Sequence, residues 1–457
     1  MLTKVSKKHY LFYPLLLALV LLLPGCSGLS SQTGETVQNT SAPFTFQGEP
    51  ILTPVPIETV EPTPEPTPEP TPQPEVTLMA LGDNLMHMGI VGTGKQSDGS
   101  LNYDFLFEDL ADFIDLADLS VINQETIFGG NELGFSGYPY FNSPTEVGDA
   151  IVNAGFDIVL QATNHTLDQK QAGMEHCINY WKQHPEILMV GLHERYEDAD
   201  GNQLPASERI PLITKNGITF AILNYTYGPN FEILPGYARG RMDVLCNWNE
   251  KNGALDFTTI HPQVLEEIAA AKELADVVVV FPHWGAEYVT TPSKYQKRFA
   301  LQMTEAGADL IIGAHPHVTQ PVEWIKADNG NECLCYYSLG NYVSTQQDPI
   351  SMLENMAWVT FRKTDDGVII DRDKTGSIPL VMQYSSGPLR FKGIYLLEEY
   401  TQDLADKHGI RSWGHKNLYV SDLQTWAAEI MGDSVKTAYE LTGLRAPQPD
   451  TVTDPTP

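Results

Sequence analysis

Five short apolar runs in this chain stop abruptly in clusters of Asp, Asn, Glu or His. Val76–Leu81 leads into Gly82-Asp83-Asn84, Leu119–Ile122 into Asn123-Gln124-Glu125, and Ile158–Ala162 into Thr163-Asn164-His165. Val277–Phe281 leads into Pro282-His283-Trp284-Gly285, and Leu310–Ile312 into Gly313-Ala314-His315-Pro316-His317. Runs of this length, rich in Val, Ile and Leu, predict buried strands. Between them, apolar residues recur at helical spacing in Asn102–Leu116, Pro144–Ala154, Ala172–His184, Val264–Leu274 and Ser293–Ala306. Such alternation predicts an α/β fold with right-handed crossovers and largely parallel sheet. Ile218–Asn224 and Leu334–Leu339 add strands. Residues 348–396 carry further strand-like pieces (AWVTF, GVII, GIYLL), and residues 397–445 read as helical. In a domain of this kind the loops at one set of strand ends converge, so the polar clusters are expected to meet.

The front of the chain has a different character. Lys4, Lys7 and Lys8 precede an almost wholly apolar Leu11–Leu23, and Gly25-Cys26 follows at once. This is the form of a secretory signal peptide, and Leu23-Pro24-Gly25-Cys26 resembles a bacterial lipobox with Pro24 in place of the usual small residue. Residues 1–26 are therefore expected to be a lipoprotein signal with Cys26 as the lipidated residue. An uncleaved anchor helix is the alternative, and both readings put the domain outside the cytoplasmic membrane. Residues 27–75 end in a Glu-Pro-Thr-Pro repeat that favours extended polyproline geometry and builds no core, which makes them a disordered tether. Residues 76–396 form the expected strand-and-helix domain, 397–445 a helical extension and 446–457 a disordered tail.

Charge narrows the partners. With 58 acidic and 28 basic side chains the formal net charge is -30, and the segment from Glu35 to Glu75 holds no Lys or Arg. Such a surface repels phosphate backbones, which argues against nucleic acid as a partner. Beyond Cys26, four cysteines remain: Cys177, Cys246, Cys333 and Cys335. None has zinc-site spacing, and they read as buried thiols, with a Cys177–Cys246 disulfide as the open alternative.

Each polar cluster alone has an ordinary reading. Gly-Asp punctuates many strand-to-turn junctions, and Asn164-His165 would suit an Asx-turn beside a packed histidine. Their co-occurrence at strand ends changes the reading, because carboxylate, amide oxygen and imidazole are the donors that hold divalent first-row metals. One or two ions are expected, with Mn, Zn or Fe favoured over Ca by the imidazoles.

Taken with their neighbours, the clusters resemble a known motif series. Gly82-Asp83, Asn123-x-Glu125, Ala162-x-Asn164-His165-x-x-Asp168, His283-Trp284-Gly285-x-Glu287-Tyr288, Gly313-Ala314-His315-Pro316-His317-Val318 and Tyr337-Ser338-Leu339-Gly340-Asn341-Tyr342 look like those of the CapA family. These are bacterial poly-γ-glutamate capsule biosynthesis proteins, similar in turn to calcineurin-like metallophosphoesterases. The resemblance spans residues 76–345 and implies a metallophosphatase-like four-layer α/β/β/α sandwich. It implies that Asp83 binds one metal, that Asn164, His283 and His315 serve a second, and that His317 returns to the first. It makes His165 the general acid or substrate-contacting histidine, and places Glu125 or Asn123 where the superfamily has a bridging Asp. Leu85 stands where a ligand His is usual, with His87 two residues further on as a candidate replacement. Asp168 and Glu287 are expected to orient imidazoles, and Asn341 to lie near substrate. The implied role is a surface protein of capsule assembly with a metal-dependent, hydrolase-like site, its partners being the capsule polymer or its synthesis machinery and, through lipid, the membrane. A non-catalytic accessory or tethering subunit with the same fold is the alternative.

Overall fold

Parallel pairing starts at once: β1 (Glu75–Asn84), β2 (Leu119–Asn123), β3 (Ile158–Leu160) and β4 (Leu188–Val190) lie side by side in chain order. The hairpin β5 (Leu212–Lys215) and β6 (Ile218–Thr226) then opens a second sheet, and β7 (Cys246–Trp248) with β8 (Leu255–Ile260) makes a small separate ribbon. The second sheet continues through β9 (Val277–His283), β10 (Leu310–Ile312), β11 (Val322–Lys326) and β12 (Glu332–Tyr336). The chain finally returns to the first sheet as β13 (Asn341–Val343), β14 (Leu353–Thr364), β15 (Gly367–Ile370), β16 (Gly376–Ser385) and β17 (Arg390–Leu396). The first sheet runs β17-β16-β14-β1-β2-β3-β4, with β13 beside β1 and β15 beside β14; the second runs β11-β12-β10-β9-β6-β5.

This computed structural model describes residues 73–444 apart from 198, 199, 201 and 203. The signal peptide, Cys26, nearly all of the tether and the tail from 446 lie outside the described residues. Among those described, no helix is long and apolar enough to cross a membrane.

Four layers follow from which side chains share a core. Val277, Val279 and Phe281 of β9 face inward with Leu78, Ala80, Val121, Ile158, Phe220, Ile222, Leu310 and Ile312, forming the layer between the sheets. The alternate residues Val278 and Val280 face outward onto Val264, Ile268, Phe299 and Met303, which come from the helices Pro262–Leu274 and Lys294–Ala306. Met79, Leu81, Ile122 and Val159 turn the other way, onto Val147 and Ile151 from the helix Glu146–Asn153 and Met174 and Ile178 from the helix Lys170–Trp181. Leu423, Ala427 and Met431, from the helix Val420–Met431, join that same outer core. Strands buried on both faces read as continuous apolar runs, which is why they stood out in the sequence.

The structure departs from expectation in two places. The first sheet is mixed rather than largely parallel, because β14 to β17 pair antiparallel. Their connections are only a few residues long, too short for a crossover. Asn102–Leu116 is not one helix but two 3-10 turns, Asp104–Leu106 and Glu108–Leu110, followed by an α-helix, Ala111–Leu116. Its large rings have separate anchors: Tyr103 donates from Oη to the Val91 carbonyl, while Phe107 stacks on Tyr342 and meets Phe156 edge-on. Tertiary contacts here override helical spacing. Cys177 and Cys246 are free and buried as expected, in cores on opposite outer faces, so the alternative of a disulfide between them does not hold.

Candidate metal centre

The carboxyl ends of β1, β2, β3, β9 and β10 bring the clusters together where the two sheets meet. Asn224, near the end of β6, ties the sheets there: its Oδ1 accepts the backbone N–H groups of Gln161 and Ala162, and its Nδ2 donates to the Phe281 carbonyl. Close approach is obligatory at two glycines. A Cβ on Gly82 would lie 2.1 Å from the Gly340 carbonyl oxygen, and one on Gly313 would lie 2.1 Å from that of Tyr337.

Asp83 is fully buried. Its Oδ1 accepts from Asn123 Nδ2 at 2.7 Å, its Oδ2 lies 3.0 Å from His317 Nδ1, and the His315 backbone N–H reaches both oxygens at 3.3 Å. His317 Nδ1 also lies 3.0 Å from Asn341 Oδ1. Two acceptors on Nδ1 put the proton there and leave Nε2 free toward the centre. His165 is oriented the same way, with Nδ1 2.6 Å from Asp168 Oδ2, which also accepts the Phe141 backbone N–H. His283 Nε2 lies 2.8 Å from Asn164 Oδ1, so these two donors converge on one point.

Glu125 occupies the focus. Its Oε1 lies 3.8 Å from Nε2 of both His165 and His283 and 3.7 Å from Nε2 of His317, beyond hydrogen-bond range in every case. Both carboxylate oxygens are buried without a hydrogen-bond partner, as are His315 Nδ1 and Asn123 Oδ1. A carboxylate is rarely left this way unless a cation completes it. Burial pushes Glu125 well above the usual carboxylate range, with Asp83, Glu287 and Asp168 adding to the effect and His317 opposing it. Burial works to lower His317 as well, but the Glu125 and Asp83 carboxylates outweigh it and hold it up at about 9, so an ion taken by Nε2 would displace a proton there. Burial, then the surrounding imidazoles, drive His283 and His315 well below the ordinary histidine value, which keeps both neutral and able to ligate.

Three sets of donor atoms lie close enough to share an ion: Asp83, Glu125 and His317; Glu125, His283 and His315; and Glu287, His315 and His317. Glu125 joins the first two. Of the two residues that sequence left open at this position, Glu125 faces the centre while Asn123 is spent holding Asp83. Glu287 is exposed and sits at the His315–His317 side, closer to the donors than a purely orienting role requires. His87 belongs to none of these sets. The segment carrying the paired histidines is held in an unfavourable backbone, with φ of +98° at His315 and +57° at His317. Such values cost free energy in a non-glycine residue and persist where surrounding bonds over-determine them. Here those are the Asp83 carboxylate and the Tyr288 N–H, which donates to the Pro316 carbonyl.

Two neighbours went unread in the sequence. Asn230 accepts from Asn164 Nδ2 at 3.0 Å and lies 3.2 Å from His165 Nδ1, and the Tyr227 ring lies 4.8 Å from that of His315. Both follow β6, where Asn224-Tyr225-Thr226-Tyr227-Gly228-Pro229-Asn230 repeats the pattern of an apolar run ending in polar residues.

The model of the family described as "Bacterial capsule synthesis protein PGA_cap" matches residues 77–346, which include every one of these donors. The chain belongs to the PGA_cap family. Among its curated relatives, the capsule biosynthesis protein CapA of Bacillus anthracis is 30% identical over 236 residues, 50% of each chain. The PGA biosynthesis protein CapA of Bacillus subtilis (strain 168) is 32% identical over 193 residues, 42% of this chain and 43% of its own. This PGA_cap chain thus spans about half the length of the curated relatives it matches. Solved structures resemble it only distantly. A hypothetical protein from Thermus thermophilus is 12% identical with a TM-score of 0.35, covering 66% of this chain and 99% of its own. The calcineurin-like phosphoesterase YfkN from Bacillus subtilis is 13% identical with a TM-score of 0.33, covering 77% and 100%. Likeness at that level carries no information about chemistry.

Proposed function

We propose that this protein is a cell-surface component of poly-γ-glutamate or related capsule assembly, with a metallophosphatase-like, metal-dependent hydrolytic centre. Membership of the PGA_cap family and the CapA relatives support the capsule role. The observation that carries the centre is Glu125: a fully buried carboxylate, bare of hydrogen bonds, with three imidazole nitrogens aimed at it. Glu125 would sit between two ions, with Asp83 and His317 on one side and Asn164, His283 and His315 on the other. Mn, Zn or Fe suit this donor set better than Ca. Divalent ions held there supply an activated water and charge stabilisation for a developing oxyanion.

The chain's own residues do the rest. Asp168 holds His165 by Nδ1, which turns Nε2 toward the centre, where it can contact substrate or, when the ring carries a second proton on Nε2, pass that proton to a leaving group. Asn341 and Asp83 together fix the His317 ring. Metal analysis of the purified full-length protein, supplied with Mn, Zn and Fe during expression, tests the reading. One to two ions per chain is the expected result, and a metal-free protein sinks it.

Leu85 favours the second reading, a non-catalytic accessory or tethering subunit. It is buried at the position where a ligand histidine is usual, so the Asp83 side has one donor fewer. His165→Asn separates the two. Loss of capsule formation in a producing strain, with metal content kept, supports catalysis; unchanged capsule supports tethering. The lipid anchor is tested apart from the site: Cys26→Ala should abolish labelling by a fatty-acid probe.

A further inference from the structure

His87 follows β1 and stands at the start of the short helix Met88–Val91, yet its side chain makes no capping bond. Its Nδ1 instead accepts the backbone N–H of Thr345 at 3.2 Å, just past β13. A ring nitrogen that accepts carries no proton, so the proton is fixed on Nε2. No hydrogen bond of ordinary geometry engages that Nε2–H among the described residues, although the Leu85 carbonyl lies near enough to the ring to attract its proton, and the residue keeps part of its surface exposed. The ring packs edge-on against Phe141 at 5.5 Å, and Phe141 packs edge-on against His165 at 4.7 Å. Phe141 therefore spaces two imidazoles on the same flank of the centre. Burial lowers His87 to about 4, helped by His317 and His165, which lie near enough to act on it, and opposed by the Leu85 carbonyl. It stays a neutral donor at ordinary pH. An anchored, uncharged N–H beside a cation-binding focus suits an anionic oxygen that also faces the ions, since such donors are strongest when already oriented.

We infer that His87 is a substrate-contacting residue whose Nε2–H donates to an oxyanion (a phosphate-like or developing tetrahedral oxygen) held at the centre, and is not a metal ligand. The inference rests on the reading of Glu125 and its histidines as a metal site for anionic substrates.

Two isosteric substitutions test it on the metal-loaded full-length protein, with inorganic phosphate as the probe in calorimetric titrations. Asn places its Oδ1 near the Nδ1 position, keeping the Thr345 bond while removing the outward donor. Gln places its amide N–H near the Nε2 position, keeping the donor while giving up the anchor. His87→Asn should bind phosphate about tenfold to a hundredfold more weakly with unchanged metal content. His87→Gln should stay within a few-fold of wild type. If His87 merely anchors the Thr345 backbone the order reverses, with Gln the damaging change, and the inference is overturned. Loss of metal in both variants makes His87 a ligand and overturns it too. Absence of phosphate binding by the metal-loaded wild type removes the anionic-substrate reading itself, and the role of His87 with it.

Discussion

The same strands serve two regions with opposite demands. Midway along, β6, β9 and β10 place Phe220, Ile222, Val279, Phe281 and Ile312 against the first sheet, where any apolar group of the right volume satisfies the neighbours. Two or three residues later the same strands deliver Asn224, His283 and His315. Here side chains sit buried with unpaired polar atoms, and the backbone of His315 and His317 is held at positive φ. The first region lowers the free energy of folding and the second raises it. Strain and orphaned polar groups concentrated at one end of a well-packed sandwich are what a pre-organised ion site requires, with the core supplying the stability that the site lacks.

The strongest way to break this contrast is at Glu125. Glu125→Gln should lower metal affinity by more than about 100-fold, because even changes behind a ligand often cost about 10–100-fold. The ion-free protein should change little in stability, since the cost of burying the carboxyl is removed along with its attraction for His317. Ion content by mass spectrometry, together with thermal melts in chelator, reads both halves. A fall in ion-free stability would mean that Glu125 has a structural partner.

Phe220→Ala attacks the other region. Phe220 is fully buried and packs edge-on against Phe361 at 5.1 Å, near the opposite ends of the strands. Truncation should cost about 3–5 kcal/mol in urea unfolding, while the folded fraction keeps its metal. Asp168→Asn is milder and confined to the site. Turnover should fall about 10–100-fold as His165 loses its orienting carboxylate, with metal content near wild type. Metal loss in this variant would place Asp168 among the ligands.

The smallest effect, and one that separates the site from the rest of the fold, is pH. His408 is buried away from the centre; its Nδ1 accepts the Ile410 N–H and its Nε2 donates to the Met382 carbonyl. Burial holds it down at about 4, against which the Met382 bond is a weaker pull. With the folded value below the unfolded one, its contribution is complete above about pH 6.5 and is lost as pH falls toward 4, by up to about 1.4 kcal/mol per unit. His317 runs the other way. It is raised to about 9 in the ion-free protein, so its contribution is complete below about pH 6.5 and fades as pH rises through 9. His408→Phe should flatten the acid side of the stability curve and keep the shape of the alkaline side, on a curve lowered throughout by the two lost backbone hydrogen bonds, as measured by denaturant midpoints across pH.

The residues of the candidate centre were legible because each sits at a local junction: an apolar run long enough to be a strand, followed at once by donors. Asp83, Glu125, Asn164, His165, His283, His315 and His317 needed no long-range information to be singled out. What needed the folded molecule was anything decided by reach or by competition. Whether Asn123 or Glu125 faces the centre depends on side-chain length measured against Asp83 across a strand pair. That His87 spends Nδ1 on Thr345, 258 residues away in the chain, cannot be read from either neighbourhood. The breaking of Asn102–Leu116 into short turns reflects anchors at Val91, Phe156 and Tyr342. Periodicity and residue chemistry act over a few positions and are written in the sequence. The partners of a hydrogen-bond donor, and the shape that a large ring must fill, exist only once distant strands have been brought within a few ångströms of each other.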